Sequence, residues 1–145
     1  RHAGLLGLAV GCGAAAITGA AIGFGAAPLA RAYTSDPVVV AAATTLLGIV
    51  AVYHLADAVQ AVMAQVLRGY KRAMAPMVIY ALSLWGVGLG GGYLLGLTDA
   101  FGARMGAAGF WIAGTVSLSI AGAGVLAYFL RISAQTTPAP ATTST

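Results

Sequence analysis

Four long stretches of this sequence are almost free of charge, and this feature restricts the fold more than any other. Apart from Arg131 at the very end of the last one, Asp57 is the only charged residue inside them, and short polar junctions separate one stretch from the next. A helix that crosses a bilayer needs about 20 apolar residues, with a rise of about 1.5 Å each. The sequence therefore predicts an all-α integral membrane protein with four transmembrane helices, at about residues 3–30, 37–67, 74–98 and 106–131.

The composition agrees with a membrane protein and argues against several soluble classes. Hydrophobic residues make up 60% of the chain and charged residues only 7%, whereas soluble domains carry roughly 25% charged residues. The net charge of +4 comes from short basic clusters, which form no continuous stripe for a nucleic acid. Cys12 is the only cysteine, so the chain cannot build an internal disulfide or a thiolate metal cluster. No catalytic cluster is recognisable either, and we expect neither an enzyme nor a bound cofactor.

The basic residues predict how the helices are oriented. An even number of spans puts both chain ends on one side of the membrane, and basic residues concentrate on the cytoplasmic side. The side that holds both ends carries five of them and the other side two, namely Arg1, Arg68, Lys71, Arg72 and Arg131 against Arg31 and Arg104. We therefore expect a multi-pass protein of the inner (plasma) membrane with both termini of this chain in the cytoplasm.

The two ends of the sequence carry separate predictions. Residues 133–145 are rich in Thr, Ala, Pro and Ser, and such a segment has no apolar surface to bury. We expect it to form a disordered cytoplasmic tail. At the other end there is no initiator methionine, and we expect the chain to be a piece of a longer protein.

Glycines recur at helical spacing in the first and third stretches. Gly7, Gly11, Gly19 and Gly23 form one series, and residues 88, 92 and 96 form a second. Because small residues let helices approach closely in lipid, we interpret both series as packing surfaces. Residues 86–91 also satisfy the pattern G-x-G-x-x-G, but no strand precedes them, so we reject a dinucleotide site.

Asp57 is the most costly residue in the predicted spans. It lies 11 residues before Arg68, or about 16 Å along a helix, near the middle of a hydrocarbon core about 30 Å thick. A charged carboxylate at that depth costs about 2.5–3.5 kcal/mol on insertion scales, so it should face a protein interior or a wet cavity. A bound cation or proton would neutralise it. We therefore predict that Asp57 is a binding site for sodium or a proton.

Further polar side chains flank Asp57 on the same predicted helix. Tyr53, Asp57 and Gln60 have the spacing i, i+4 and i+7 of one helical face, and His54 lies on its flank. Tyrosine and glutamine oxygens can orient a carboxylate or ligate sodium, and a histidine can transfer a proton. Structural hydrogen bonding between helices remains an alternative for Tyr53, His54 and Gln60, and for Asp57 itself.

Several motifs together resemble the multidrug and toxic compound extrusion (MATE) family. They are YTSDPV at residues 33–38, DAVQ at 57–60, LRGYKR at 67–72 with Pro76, WGVGLGGGY at 85–93 and GAAGFW at 106–111. The combination of DAVQ and LRGYK at this spacing is the most specific part of the resemblance, which covers nearly the whole chain.

The resemblance implies a fold, a function and two site residues. Members of the family have twelve helices in two six-helix lobes, and they export organic cations in exchange for sodium or protons. This chain would supply helices nine to twelve, part of the C-terminal lobe. Its partners would be the bilayer, the N-terminal helices of the same transporter and small organic cations. The family's cation-binding carboxylate corresponds to Asp57. A second family acid, which contacts cationic substrates, corresponds to Asp36, although capping of a helix beginning at Pro37 is an alternative for that residue.

The sequence departs from the family pattern at three positions. His54 stands where we expect Gln, Gly90 where we expect Pro, and Arg72 where we expect Asp. The first difference bears on the preference for protons over sodium, and the second on a helix kink. The chain also contains no glutamate, so the acidic partner that the family carries on its seventh helix is not in this sequence.

Two other functions remain open at this point. A lipid-linked sugar flippase of the same broad superfamily would share the fold, but it would be expected to carry more basic residues inside its cavity. A non-transporting membrane subunit would use Asp57 only to dock a basic helix of a partner.

Overall fold

The computed structural model describes residues 1–135, and four of its segments are long and apolar enough to cross a bilayer. The first two are the single helices α1 (His2–Tyr33) and α2 (Pro37–Gly69). The third consists of α3 (Met74–Leu82), a π-helix (Ser83–Gly90) and α4 (Gly91–Leu97), and the fourth is α5 (Ala107–Gln135). The prediction of an all-α membrane protein with four transmembrane helices is confirmed.

The helix ends differ by a few residues from those predicted. α1 continues past residue 30 to Tyr33, and α2 continues past residue 67 to Gly69. α5 runs through Gln135, so the predicted start of a disordered tail at residue 133 is three residues too early. The reason is that Ser133 is buried and its hydroxyl donates a hydrogen bond to the Leu130 carbonyl at 3.2 Å, within the helix. The rest of the predicted tail lies outside the described residues.

α5 organises the packing of the other helices. α2 packs against α1 on one side and against α5 on the other, and α5 also packs against α3, the π-helix and α4. Its buried positions recur every four residues, which is the spacing of one helical face. They are Gly109, Ala113, Ser117, Ala121, Val125, Phe129 and Ser133, joined by Leu118 and Gly122.

One end of the bundle contains its apolar core. Met63 and Leu67 of α2 pack there with Val125 and Phe129 of α5, and all four side chains are completely buried. Phe129 also lies against Gly4 near the start of α1. The beginning of α1 and the final turns of α2 and α5 therefore share one end. We call it the basic end, because it carries Arg1, Arg68, Lys71, Arg72 and Arg131.

Glycines allow close helix contacts, as the sequence predicted for most of the two series. A side chain at Gly19 would lie 2.8 Å from the Ala51 carbonyl oxygen, and one at Gly109 would lie 2.7 Å from the Gly96 backbone nitrogen. Backbone therefore meets backbone at both places, as in other membrane helix pairs. Gly7 is an exception, because nothing lies within 4 Å of its missing side chain.

The π-helix is a feature that the sequence pattern did not predict. It interrupts the third transmembrane segment at Ser83–Gly90, which contains most of the G-x-G-x-x-G run. That run is helical throughout, with α3 before it and α4 after it. π-Helical segments are rare and occur often at functional sites. This one packs against α5 through Gly88, whose missing side chain would lie 3.0 Å from the Ser117 hydroxyl oxygen.

Candidate functional site

Asp57 lies in the middle of α2, well inside the longest helix of the structure. Its side chain is half-buried, and within residues 1–135 no hydrogen bond or ion pair engages its carboxylate. In the same part of the chain, every buried side-chain nitrogen or oxygen has a hydrogen-bond partner. The unpartnered oxygens of Asp57 must therefore remain accessible. This carboxylate is free to accept a proton, to ligate a cation or to receive a donor from outside this segment.

Tyr53 lies one helical turn from Asp57 and interacts with it electrostatically. Its ring meets Trp111 of α5 edge to face, with ring centroids 5.3 Å apart and an angle of 84° between the planes. Gly114, one turn further along α5, also lies beside the ring, since a side chain there would be in ordinary contact with Tyr53 Cε2 at 3.9 Å. α5 thus fixes the position of the phenol beside the carboxylate.

Tyr80 is a further polar residue near Tyr53 that the sequence analysis did not name. It lies on α3, it is half-buried, and it interacts electrostatically with Tyr53. Depth counting could have found it. Tyr80 follows Arg72 by eight residues, or about 12 Å of helix, and Asp57 precedes Arg68 by 11 residues, or about 16 Å, so depth counting places both inside a hydrocarbon core about 30 Å thick. The sequence does not reveal that Tyr80 interacts with Tyr53 of another helix.

Gln60 and His54 flank Asp57 on α2, within one turn of it along the chain. Both side chains are half-buried, and in the described part of the chain neither forms a hydrogen bond. The backbone of Gln60 packs on α5, where a side chain at Gly122 would lie 3.5 Å from the Gln60 nitrogen. The proposed support of an ion by His54 and Gln60 stays a prediction.

Asp36 occupies the cap of α2, as the alternative reading of this residue required. One carboxylate oxygen accepts hydrogen bonds from the backbone N–H groups of Val38 at 2.8 Å and Val39 at 3.4 Å. Such caps satisfy donors that the first helical turn leaves unpaired. Asp36 is 21 residues from Asp57, which is about 31 Å along the helix, so the two acids belong to different sites. Substrate contact by Asp36 stays a prediction.

Two cavities lie near these acids. A cavity of about 250 Å³ lies beside Tyr53, between α2, the π-helix and α5. Its wall is aromatic and aliphatic, with glycine on two sides, and consists of Tyr53, Leu84, Gly88, Leu89, Phe110, Trp111, Gly114 and Leu118. A larger groove of about 710 Å³ lies between α1 and α2 at the end opposite to the basic end, and Arg31 contributes to its lining. The smaller cavity is the one that adjoins the candidate site.

Comparison with known proteins identifies the family. Residues 1–94 match the sequence model of the MatE family, and this range includes Tyr53, Asp57 and Tyr80. The chain belongs to the MATE family. The resemblance that the motifs indicated is therefore confirmed, and the region of the match contains the whole candidate site except the α5 residues that pack on it.

The relatives of this MATE chain are multidrug resistance proteins by name. It is 46% identical over 126 residues to the probable multidrug resistance protein NorM of Chromobacterium violaceum, covering 87% of the chain and 26% of the relative. It is 41% identical over 121 residues to multidrug resistance protein MdtK of Pectobacterium atrosepticum, covering 83% of the chain and 26% of the relative. The chain thus spans about a quarter of the length of these curated relatives.

Proposed function

We propose that this chain is part of a multidrug efflux antiporter that exports organic cations from the bacterial cell in exchange for sodium or protons. In this proposal, its four transmembrane helices are helices nine to twelve of a twelve-helix transporter in the inner membrane. The names of the MATE relatives support the assignment to drug efflux. The observation that carries the ion coupling is the half-buried Asp57 carboxylate, which has no partner within the described segment.

The chemistry of coupling follows from the cost of charge in a membrane. A lone carboxylate at mid-membrane costs about 2.5–3.5 kcal/mol, and neutralisation by sodium or a proton lowers that cost. The free energy of each state of the transporter then depends on whether Asp57 is occupied. A cationic substrate and the coupling ion repel each other, and one carboxylate can neutralise only one positive charge. Binding of either therefore favours release of the other.

Tyr53 contributes an oxygen and a proton donor to this proposed site. Its hydroxyl can donate to the empty carboxylate, or its oxygen can ligate sodium beside the carboxylate. Trp111 holds the ring edge to face, which limits where the hydroxyl can lie. We expect His54 and Gln60 to tune the preference between sodium and protons from the flank of α2.

The outer surfaces of the bundle fit a role as part of a larger membrane protein. Large apolar side chains on α1 are strongly exposed, with Phe24 at 92% and Ile17 at 74%. We propose that lipid and the N-terminal helices of the transporter cover these surfaces. The basic end would then face the cytoplasm, in agreement with the usual distribution of Arg and Lys.

The experiment that tests this function is Asp57→Asn in the full-length transporter. Asparagine keeps the size and much of the hydrogen bonding of aspartate but cannot change charge. We expect near-normal insertion and abundance, and ion-driven efflux of ethidium from proteoliposomes under an imposed sodium or proton gradient should be abolished, because the uncharged side chain cannot exchange the coupling ion. Asp99→Asn is the matched control, because Asp99 lies in an exposed loop outside the helices.

The outcomes separate the competing functions. Wild-type efflux by Asp57→Asn with unchanged ion dependence would reject ion coupling through this carboxylate. If Asp57→Asn lowers the amount of assembled protein but leaves the efflux per assembled molecule unchanged, Asp57 serves assembly. That result would favour the alternative in which Asp57 only docks a partner helix. If Asp36 contacts the substrate, Asp36→Asn should weaken the binding of cationic substrates more than it weakens ion coupling.

A further inference from the structure

The two ends of the bundle carry very different charge. The basic end has five cationic side chains and no acidic one. At the opposite end, Arg31 and Arg104 are accompanied by Asp36 and Asp99, so the side chains there have no net charge. Within residues 1–135, no ion pair engages a cation of the basic end. The positive charge of the basic end is therefore not neutralised by side chains of this chain.

Three of these cations lie together at the turn between α2 and α3. They are Arg68 in the last turn of α2, and Lys71 and Arg72 directly after it, and all three side chains are exposed. In the described residues, the Arg68 guanidinium donates one hydrogen bond, to the Gln65 amide oxygen at 3.0 Å. Because a guanidinium has five N–H groups, most donors of this turn are available to a group outside the chain.

The backbone of the turn is held by its own hydrogen bonds. The Lys71 N–H donates to the Arg68 carbonyl at 2.9 Å, and the Arg72 N–H donates to the Leu67 carbonyl at 3.0 Å. These two bonds form the Schellman motif that ends many helices. The Tyr70 ring also lies edge to face against the phenylalanine of the apolar core, with ring centroids 5.8 Å apart. The three cations are therefore attached to a backbone of defined shape.

Lys71 occupies a backbone conformation that favours glycine. Its φ is 58°, and among residues 1–135 it is the one non-glycine residue with a positive φ. The equivalent position of a Schellman motif is usually glycine, because the Cβ atom of any other residue is crowded there. A strained residue of this kind points to a function of its side chain. A lysine at this position supplies a positive charge that glycine cannot supply.

An exposed apolar face of α3 begins next to this turn. Met74, Met77 and Val78 have the spacing i, i+3 and i+4 of one helical face, and all three are exposed. α5 does not cover this face, because the residue that packs on a glycine of α5 is Ile79. Met77 follows Arg72 by five residues, or about 8 Å of helix. This arrangement matches a phospholipid, whose phosphate lies next to the start of its acyl chains.

We propose that the turn at residues 68–72 and the exposed face of α3 together bind an anionic phospholipid of the leaflet that the basic end faces. The three cations of the turn bind its phosphate, and an acyl chain lies along Met77 and Val78. Arginine binds phosphate oxygens through paired N–H groups, and lysine acts as a compact positive charge. Basic clusters next to transmembrane helices attract anionic lipids in this way. Lipid binding here does not require that Asp57 binds an ion.

A different role for these cations makes a different prediction. Basic residues orient helices while a protein is inserted into the membrane. That role ends once the protein is inserted, so it predicts no preference of the purified protein for anionic lipids. A binding measurement on purified protein therefore separates the two roles.

The test measures binding of cardiolipin to the purified full-length protein. A fluorescent cardiolipin is bound to the protein in detergent micelles, and unlabelled cardiolipin, phosphatidylcholine or inorganic phosphate is added as competitor. Lys71→Gly removes one charge and relieves the strained backbone, so folding should not suffer. Lys71→Arg keeps the charge. Arg104→Gln is the matched control, because it removes one exposed charge at the opposite end.

We expect Lys71→Gly to raise the Kd for cardiolipin about fivefold, the contribution of one cation near a lipid surface, with a Tm no lower than that of wild type. Arg68→Gln, Lys71→Gly and Arg72→Gln together should raise the Kd on the order of 100-fold. Lys71→Arg and Arg104→Gln should each stay within about twofold of wild type. Unlabelled cardiolipin should displace the probe at concentrations at which phosphatidylcholine and inorganic phosphate do not.

Wild-type affinity in both Lys71→Gly and the triple variant would overturn the lipid site and leave these charges a role in orientation alone. Equal displacement by phosphatidylcholine would mean that only acyl chains are recognised, and equal displacement by inorganic phosphate would mean a site for free anions. Either result rejects an anionic-lipid site. The proposed function fails by a separate result, namely ion-driven efflux by Asp57→Asn.

Discussion

The two halves of α2 belong to one continuous helix but are packed in different ways. Toward the basic end, Met63 and Leu67 are completely buried against α5. Around Asp57 no side chain of α2 is fully buried, and Tyr53 and Gln60 are only half-buried. Apolar packing thus anchors one half, whereas the other half keeps a carboxylate accessible and without a partner in this segment.

This difference shows how a membrane helix can hold a charge that is not permanently paired. A permanent ion pair would satisfy Asp57 but would also remove its ability to exchange ions. The apolar contacts at residues 63 and 67 give stability without using polar groups, and Phe129 closes that core from α5. The half of α2 around Asp57 is then held in position by the apolar contacts of the other half.

Phe129→Ala should break the packed half and produce the largest loss of stability. Phe129 is completely buried, and truncation of a buried phenylalanine typically costs about 3–5 kcal/mol. We expect a clearly lower Tm for the purified full-length protein, measured by tryptophan fluorescence during heating. Phe101→Ala is the control, because Phe101 is 75% exposed, and it should change stability by less than about 0.5 kcal/mol. Equal Tm values for the two variants would mean that this core is not the anchor.

Gly122→Ala should produce a smaller loss at the boundary between the two halves. A methyl group there would lie 3.2 Å from Val59 Cγ1, so the valine must shift slightly. Overpacking of this kind costs about 1–3 kcal/mol, and we expect the lower part of that range because a side chain can yield. Gly7→Ala is the matched control, since nothing lies within 4 Å of Gly7. A Tm for Gly122→Ala as high as that of Gly7→Ala would show that α2 and α5 are loosely packed here.

Sequence alone predicted much of the fold because the membrane imposes simple rules. Charge-free length gave the four spans, and the cost of an isolated acid singled out Asp57. The spacing of Tyr53 from Asp57 within one helix also follows from helical periodicity. Each of these predictions uses only the length, charge or periodicity of a single helix.

The features that sequence did not predict depend on how helices meet. Trp111 comes from α5, and its edge-to-face contact with Tyr53 depends on interhelical register, which the sequence pattern does not encode directly. The π-helix packs against α5 at Gly88, a contact that no periodicity in the sequence predicts. The extra turn of α5 depends on burial of Ser133, although the sequence around it is polar.

The substitution Lys71→Cys should disturb neither half of α2. Labelling of the new cysteine identifies the side of the membrane that the basic end faces. Lys71 lies in the exposed turn after α2, and Cys12 would be replaced by serine to remove background. A membrane-impermeant maleimide added to intact cells should not label Lys71→Cys, but it should label Ala100→Cys in the loop at the opposite end. Labelling of Lys71→Cys from outside would contradict the cytoplasmic assignment of the basic end.

The most direct measurement of the central claim is the release of bound coupling ion when substrate binds. Purified full-length protein in detergent is loaded with sodium-22, or held in weak buffer with a proton indicator, and ethidium is then added. Wild-type protein should release sodium or protons with a fixed stoichiometry, and Asp57→Asn should bind ethidium with no such release. Equal ion release from Asp57→Asn and wild type would show that the coupling ion is bound elsewhere and that Asp57 is not its site.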